Sequence, residues 1–566
     1  MTPPARHTTA PPPGRIGWAV ALALAACSAP PAVPPPNSPP APAAVRDGMG
    51  QDVDVQSTVT SLFANWDPFF DPEGKAVTYE WSLGTRPGTV DVMPWRSVGG
   101  STQASVGDDQ VALPTDRVLY VNVRATDLDG NTSAVSTSDG VVLGQAAEPD
   151  PSGGSTRRPT QVALERFGVT WTFANPVDAG RFANGDWWVK GPVDIVAIAP
   201  PCRTDGGRTL NGAMLDPDPR SPRQGYDSAM FGDRAASGYD EALNVARSVS
   251  PKQPLHLEGG HSLVSAISLT VAGAMPQLET CAVLTVLAEA PPADAFRPPY
   301  SGTDKACRWR TQNLDLTRLP DLEAVPGAPD IRDLATRFER TWLDHVPGWS
   351  GRFLHPTANM PDYGREMADL VGNAGLALQL RQPETQKREL ALRLVQLGID
   401  NHGVVAAGGR FVADGGSGSG RKFPVLLAAA LLQDDLLMRT AHAEGAFAED
   451  VQTFIVRETQ ADEINFGQGG YDVRDVGLPE WGQRHCDDPR DDRKPWTADP
   501  YRRCCTANAW CGFVLATRIM GLREAWGHDA LFAYVDRYMQ VETKGSWTRA
   551  WTPFAEHMWD RYRSEF

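Results

Sequence analysis

Residues 331–342 read Ile331-Arg332-Asp333-Leu334-Ala335-Thr336-Arg337-Phe338-Glu339-Arg340-Thr341-Trp342. Ile331, Leu334, Ala335, Phe338 and Trp342 recur at the three- and four-residue spacing of one helix face. The same period returns in 365–380, 386–398, 423–437, 506–521 and 530–539, with Gly, Pro and Asp in the gaps. Upstream the period is two. Gly168-Val169-Thr170-Trp171-Thr172-Phe173 and Trp187-Trp188-Val189-Lys190 alternate as strands do, and 255–257, 262–269 and 282–287 add more. The change of period near Ile331 therefore separates a β-domain over 161–305 from an all-α domain over 320–566. Between those strands, the polar and Gly-rich stretch 204–240 is expected to form long loops, which in a compact domain tend to carry function.

Further upstream, 52–144 holds short alternating runs divided by turn signals such as Asp71-Pro72-Glu73-Gly74 and Asp129-Gly130-Asn131, which predicts a small β-sandwich. Pro-rich 27–51 and Gly/Ser/Pro-rich 145–160 read as linkers. Trp66-Asp67, Tyr79-Glu80-Trp81 and 119–127 (LYVNVRATD) resemble a fibronectin type III domain, which makes Trp66, Trp81 and Tyr120 core residues rather than ligand platforms. The fold class is thus multidomain: a fibronectin type III-like sandwich, a larger β-domain and a helical domain. Helices joined by alternating short and long loops suggest hairpins arranged in a ring. A β-domain followed by such helices resembles the (α/α)-toroid polysaccharide lyases and several glycoside hydrolases.

Leu24-Ala25-Ala26-Cys27 closes an apolar run, 16–26, that follows Arg6 and Arg15. This resembles a bacterial lipoprotein signal, whose apolar core of about 7 to 15 residues is too short to span a bilayer. The resemblance implies removal of 1–26, lipid on Cys27, and a place at the outer membrane or cell surface. An ordinary cleavable signal is the alternative. Either way the protein is exported, so no cytosolic cofactor is expected. The net charge of −16 excludes nucleic acid as a partner, because phosphate binding needs a basic footprint. A polysaccharide partner and a lipid anchor remain. With Cys27 assigned to lipid, one bridge is expected among Cys202, Cys281 and Cys307, and one joining Cys486 to Cys504 or Cys505. Their spacing matches no zinc motif, so no metal is expected.

Three polar clusters each precede a helix. The first, His355 to Met367, contains Asn359, Tyr363 and Arg365; the second, Asp414 to Pro424, is Gly-rich and ends in Arg421 and Lys422. The third runs from Trp481 to Trp510 and holds Arg484, His485, Tyr501 and Arg503. A lyase acting on a uronate needs cations to neutralise the sugar carboxylate, which acidifies the C5 proton, and a base to remove that proton. Those residue types are present in the helix-initiating loops. His485, Tyr363 and Tyr501 are the expected proton-transfer groups. Asn359, Arg365, Arg421, Arg484 and Arg503 are expected to bind the substrate, with Trp188 stacking on a sugar ring. Two alternatives stay open: a glycoside hydrolase, which needs paired carboxylates drawn from Glu366, Asp369, Glu449, Asp450 and Asp487, and a non-catalytic polysaccharide-binding protein.

Overall fold

The computed structural model describes residues 38–48, 53, 55–56, 61–107, 110–114, 117–143, 160–229, 238–270, 278–346, 348–359, 364–413, 416–458, 471, 473–482 and 502–566. The chain divides into two compact units, Met1–Thr156 and Arg157–Phe566. No helix among the described residues is long and apolar enough to cross a membrane.

In the first unit the strands are β1 (Val45–Asp47), β2 (Val55–Gln56), β3 (Ser61–Trp66), β4 (Thr78–Gly84), β5 (Met93–Gly99), β6 (Gln103–Gly107), β7 (Tyr120–Thr126), β8 (Ser136–Thr137) and β9 (Val142–Leu143). Sheet β1-β3-β6 and sheet β5-β4-β7-β8 share one core, to which Leu62, Trp66, Tyr79, Trp81 and Val123 contribute. Leu62, Ala64 and Trp66 are buried and the residues between them are not, which is the period-two alternation of a strand with one face inward. This three-plus-four β-sandwich is the arrangement expected of a fibronectin type III-like domain. Trp66 and Trp81 are core residues, while Tyr120 is only half-buried. Asp127 is a turn residue: its Oδ1 accepts from the backbone of Asp129 (2.8 Å) and Asn131 (2.9 Å).

The second unit opens with β10 (Thr160–Arg166), β11 (Val169–Arg181), β12 (Trp187–Lys190), β13 (Val193–Ala199), β14 (Arg203–Asp205), β15 (Arg208–Leu210), β16 (Ala213–Leu215), β17 (Leu255–Leu257), β18 (His261–Ser268) and β19 (Leu278–Leu287). Eight of these form one sheet of order β16-β18-β19-β12-β11-β13-β17, with β10 on β11. Within this sheet β12 and β19 pair in parallel and the other pairs are antiparallel. The stretch expected to be loop thus contains two strands of a hairpin and one of the sheet. Along β19, Ala282, Leu284 and Val286 point to one core and Cys281 and Val283 to another. Both faces are therefore covered. The second core also takes Leu343, Val346, Phe353 and Leu354 from the helical part of the sequence, and sheet and helices lie within one unit.

The helices are α1 (Ile331–Thr336), α2 (Gly364–Ala377), α3 (Glu384–Ala406), α4 (Lys422–Leu432), α5 (Asp435–Ala441), α6 (Ala448–Gln452), α7 (Cys511–Ile519), α8 (Arg523–Trp526), α9 (Asp529–Val541) and α10 (Pro553–Tyr562), with a small hairpin β20 (Thr453–Ile455) and β21 (Pro479–Trp481) between α6 and α7. The periodic stretch at 331–342 is helical only to Thr336. Beyond it the backbone leaves the helix while Phe338 stacks on Trp342 at 5.1 Å, so burial continues without helical geometry. The segment 423–437 is two helices, because Gln433 takes a left-handed φ of 53° and Asp434 caps the next helix through Leu437 N–H. A Cβ on Gly372 would meet Gly512 and Phe513, and one on Gly375 would meet Ala516, so α2 and α7 run side by side in the same direction. Gly420 faces Ala368 and Gly375 faces Phe423, which aligns α4 with them. Asn401 Nδ2 donates to the Arg421 carbonyl while Gly398 packs on Pro424, so α3 runs the opposite way. The N-termini of α2, α4 and α7 consequently share one end, and the loops before them gather there.

Sheet and helices meet at Arg297, which is fully buried. Its Nε donates to Asp186 Oδ2 (2.7 Å), Nη1 to Pro298 O (2.9 Å) and Asp400 Oδ1 (3.0 Å), and Nη2 to Asp400 Oδ2 (2.6 Å) and Thr341 Oγ1 (3.2 Å). Replacing Arg297 by Met strips buried Asp400 of this cation and leaves buried Asp186 with Arg166 Nε, 3.4 Å away. Denaturant unfolding of the full chain is expected to show a loss of about 3–5 kcal/mol, and an unchanged midpoint would contradict the role given to this residue.

Candidate functional site

The described parts of the three polar clusters touch at the end where α2, α4 and α7 begin. Gly364 opens α2 against the backbone of Ser417: a Cβ there would lie 2.3 Å from Ser417 Cα. Gly416, with φ of 83°, lies so close to the next cluster that a Cβ would stand 2.3 Å from the Cys505 carbonyl oxygen. Arg365 Nη1 donates to the Cys504 carbonyl. Loop against loop, the three segments make one rim.

That rim is edged by aromatic and cationic side chains. The Arg365 guanidinium carbon lies 3.5 Å from the centroid of Trp551, a cation–π stack, and Trp551 meets Trp547 edge-on at 6.2 Å and 86°. Trp547 is 54% exposed. Asn508 holds both tryptophans by their backbones, its carbonyl accepting from Trp551 N–H (2.8 Å) and its Nδ2 donating to Trp547 O (3.3 Å). Glu366 Oε1 stands 3.5 Å from Arg365 Nη2. Arg503, one third exposed, donates through Nε to Glu542 at 2.6 Å. Beneath the rim lies Asp369, whose carboxylate accepts from Asn373 Nδ2 (2.8 Å) and Thr552 Oγ1 (3.0 Å). Burial pushes its carboxyl up to about 7, against the opposing pull of those hydrogen bonds and of Arg365. Glu449, in the first turn of α6, is likewise pushed up to about 7, by burial and then by neighbouring Asp450.

The residues expected from sequence separate into three groups. Arg365 and Arg503 lie at the rim. Arg421, Asn359 and Trp188 do not serve as expected. Arg421 is 2% exposed and grips Asp344 in bidentate fashion, Nε to Oδ2 at 2.9 Å and Nη2 to Oδ1 at 3.0 Å, so its fork already holds an internal carboxylate. His355 Nε2 meets the same Asp344 at 2.9 Å. Burial would raise the Asp344 carboxyl, but the charges of Arg421 and His355 outweigh it and hold it below the usual range. Asn359 is fully buried and donates to Arg340 O at 2.9 Å, turned away from solvent. Trp188 is buried in a small core with Phe182, Leu287 and Ala295, so it offers no face to a sugar. Its neighbour Trp187 points to the other face of β12, as strand geometry requires, and is capped by Arg181 at 4.0 Å from its centroid. His485, Tyr363, Tyr501, Arg484 and Cys27 lie outside the described residues.

The cysteines also depart from expectation. Cys504 is bonded to Cys505, its immediate neighbour, with Cα atoms 3.7 Å apart, so neither is left for Cys486, which lies outside the described residues. Cys202, Cys281 and Cys307 are free thiols. Burial pushes Cys281 up to about 12 and Cys307 up to about 11, which makes both poor nucleophiles. Sequence reasoning passed over Trp547 and Trp551, although a Gly-Ser-Trp-Thr-Arg-Ala-Trp loop between two helices is a legible sign of exposed aromatics. Asp344 gave no signal, because nothing in Trp-Leu-Asp-His says that the acid is the partner of a residue far along the chain.

No family model matches the sequence, and no curated protein does. Among solved structures, the chain is similar to the fibronectin type-III domain of human fibronectin type III domain containing protein 3 (16% identity, 22% of this chain and 100% of that one, TM-score 0.14). It is also similar to the chicken CNTN1 FN1-FN3 domains (12% identity, 45% and 68%, TM-score 0.14) and to trypsin-activated alpha-2-macroglobulin from Escherichia coli (10% identity, 87% and 34%, TM-score 0.13). The sandwich is assigned from its strand order, independently of these likenesses.

The raised carboxyls have a measurable consequence. A carboxyl whose folded-state value lies above its unfolded one stabilises the fold fully below about pH 4, and that stability is lost as the pH rises through 7. Asp369→Asn and Glu449→Gln remove the loss. Relative to the unsubstituted protein, each variant is expected to gain about 2–3 kcal/mol in unfolding free energy between pH 5 and pH 8. A pH-independent difference would show that these carboxyls titrate normally.

Proposed function

We propose that this is an exported, lipid-anchored enzyme that cleaves a uronate-containing polysaccharide by β-elimination, at the rim where α2, α4 and α7 begin in an (α/α)-toroid-like domain. The observation that carries the reading is the meeting of the three polar clusters at one end of three helices that point the same way. Arg365, held over the Trp551 ring, is suited to meet a sugar carboxylate, with Arg503 and Arg484 as further cations. Neutralising that carboxylate makes the C5 proton more acidic. Tyr363 or His485 then takes the proton, and Tyr501 returns one to the departing glycosidic oxygen. Gly364 follows Tyr363 and packs on Ser417; Arg502 follows Tyr501 and lies over the Trp481 ring at 5.5 Å; Trp481 and Gly482 precede His485. Arg421, Asn359 and Trp188 have no place in this substrate set, being internal.

One observation favours a second reading. A buried carboxyl pushed up to about 7, as Asp369 is, suits the proton donor of a glycoside hydrolase, with Glu366 three residues before it as partner.

Incubating the purified protein with a panel of uronate polymers and following the ultraviolet absorbance of the unsaturated product separates these readings. Absorbance that rises with time, and is lost in Arg365→Ala, is the expected result. Reducing ends without absorbance would transfer the assignment to hydrolysis through Asp369. No reaction on any polymer would leave a binding protein. Cys27→Ser is expected to move the protein from the membrane fraction to the soluble one, and continued sedimentation with membranes would refute the lipid anchor.

A further inference from the structure

The rim carries a covalent feature that the proposed chemistry does not use, the bond between neighbouring Cys504 and Cys505. We propose that the ring closed by this disulfide and the Trp547–Trp551 pair are the two apolar walls of a subsite for one hexuronate unit, with Arg365 between them as its carboxylate contact. The inference rests on the uronate reading above and deepens it.

Three observations carry it. First, Arg365 is fixed from both sides: its Nη1 donates to the Cys504 carbonyl and its guanidinium carbon lies over the Trp551 ring. A guanidinium held in this way loses little freedom when it meets a planar carboxylate. Glu366, 3.5 Å away, is the internal acid that the sugar carboxylate would displace. Second, both walls are reachable from solvent. Cys504 and Cys505 are half-buried and Trp547 is among the exposed large hydrophobic residues. Ligand sites combine such apolar walls with a few placed polar groups. Third, the disulfide restrains the turn that supplies the carbonyl. A bond between adjacent residues freezes the peptide between them, and the Cys505 carbonyl is pressed against Gly416, where no Cβ fits. The ring therefore sets the position of the Cys504 oxygen, and through it that of Arg365. Cys504 and Cys505 are positioning residues as well as a wall.

The test is calorimetric titration of the full chain with trigalacturonate, and with the same trimer carboxyl-reduced to the neutral sugar. The unsubstituted protein is expected to prefer the acidic trimer. Trp547→Ala, a change at an exposed ring, should weaken binding of both trimers by about five- to tenfold. Arg365→Lys keeps the charge but not the flat fork, and should erase most of the preference for the acid. Opening the disulfide of the folded protein with a dithiol, which becomes oxidised as Cys504 and Cys505 become thiols, should weaken acidic-trimer binding by a similar factor, with full recovery on reoxidation. That readout does not depend on a cysteine variant folding. If the protein binds the acidic trimer and neither Trp547→Ala nor reduction changes the affinity, the subsite is refuted and the uronate reading stands. Failure to bind any acidic oligomer overturns both.

Discussion

The guanidinium of Arg297 is where the sheet, α3 and the segment after α1 meet, and the rest of the second unit is arranged around it. Its N–H groups are taken up by Asp186 beside β12, by Asp400 in α3, by Thr341 and by Pro298 O. Burial would drive such a group toward neutrality, but the two carboxylates outweigh it and keep the arginine charged. A fully hydrogen-bonded buried pair adds little net stability over apolar packing, yet breaking it is severe, so its effect is to fix which elements meet rather than to strengthen the fold.

From that point the geometry propagates. Thr341 is followed closely by Asp344, which holds Arg421, and Arg421 is the residue immediately before α4. Trp342 lies between this pair and the rest of the core, 5.5 Å from the Arg421 guanidinium carbon and 5.7 Å from the His355 ring. The start of α4 is thereby set relative to the sheet. Because α2 and α7 run beside α4 in the same direction, their starts are set with it, and the loops before them become one rim. Internal ionic contacts thus decide where the rim's own residues stand.

Much of this was legible in the sequence. The change of period at Ile331 marked the passage from sheet to helices, and alternation in 169–173 marked a strand with one face buried as expected. That each polar cluster precedes a helix start was legible as well. What could not be read was the sorting of arginines. Arg365 and Arg421 both stand at helix starts, next to Gly-rich or polar sequence, yet one lies at the rim and the other is spent on Asp344, 77 residues away. Local sequence carries no record of such a distant partner. Trp188 illustrates the same limit: alternation says that Trp187 and Trp188 face opposite ways, but not that Phe182, Leu287 and Ala295 would bury Trp188 and Arg181 would cap Trp187. The adjacent cysteines were misjudged for a different reason, since bonding between neighbours is an uncommon solution that spacing does not favour.

The proposed function resides at the rim. Hydrogen exchange of the full chain, with and without a saturating uronate oligomer, tests it most directly. Slowed exchange is expected in peptides covering 364–366, 416–421, 502–508 and 547–552, with the sandwich of 45–143 unchanged. Protection confined to the sandwich or to the sheet of 160–287, with the rim peptides unaffected, would contradict it.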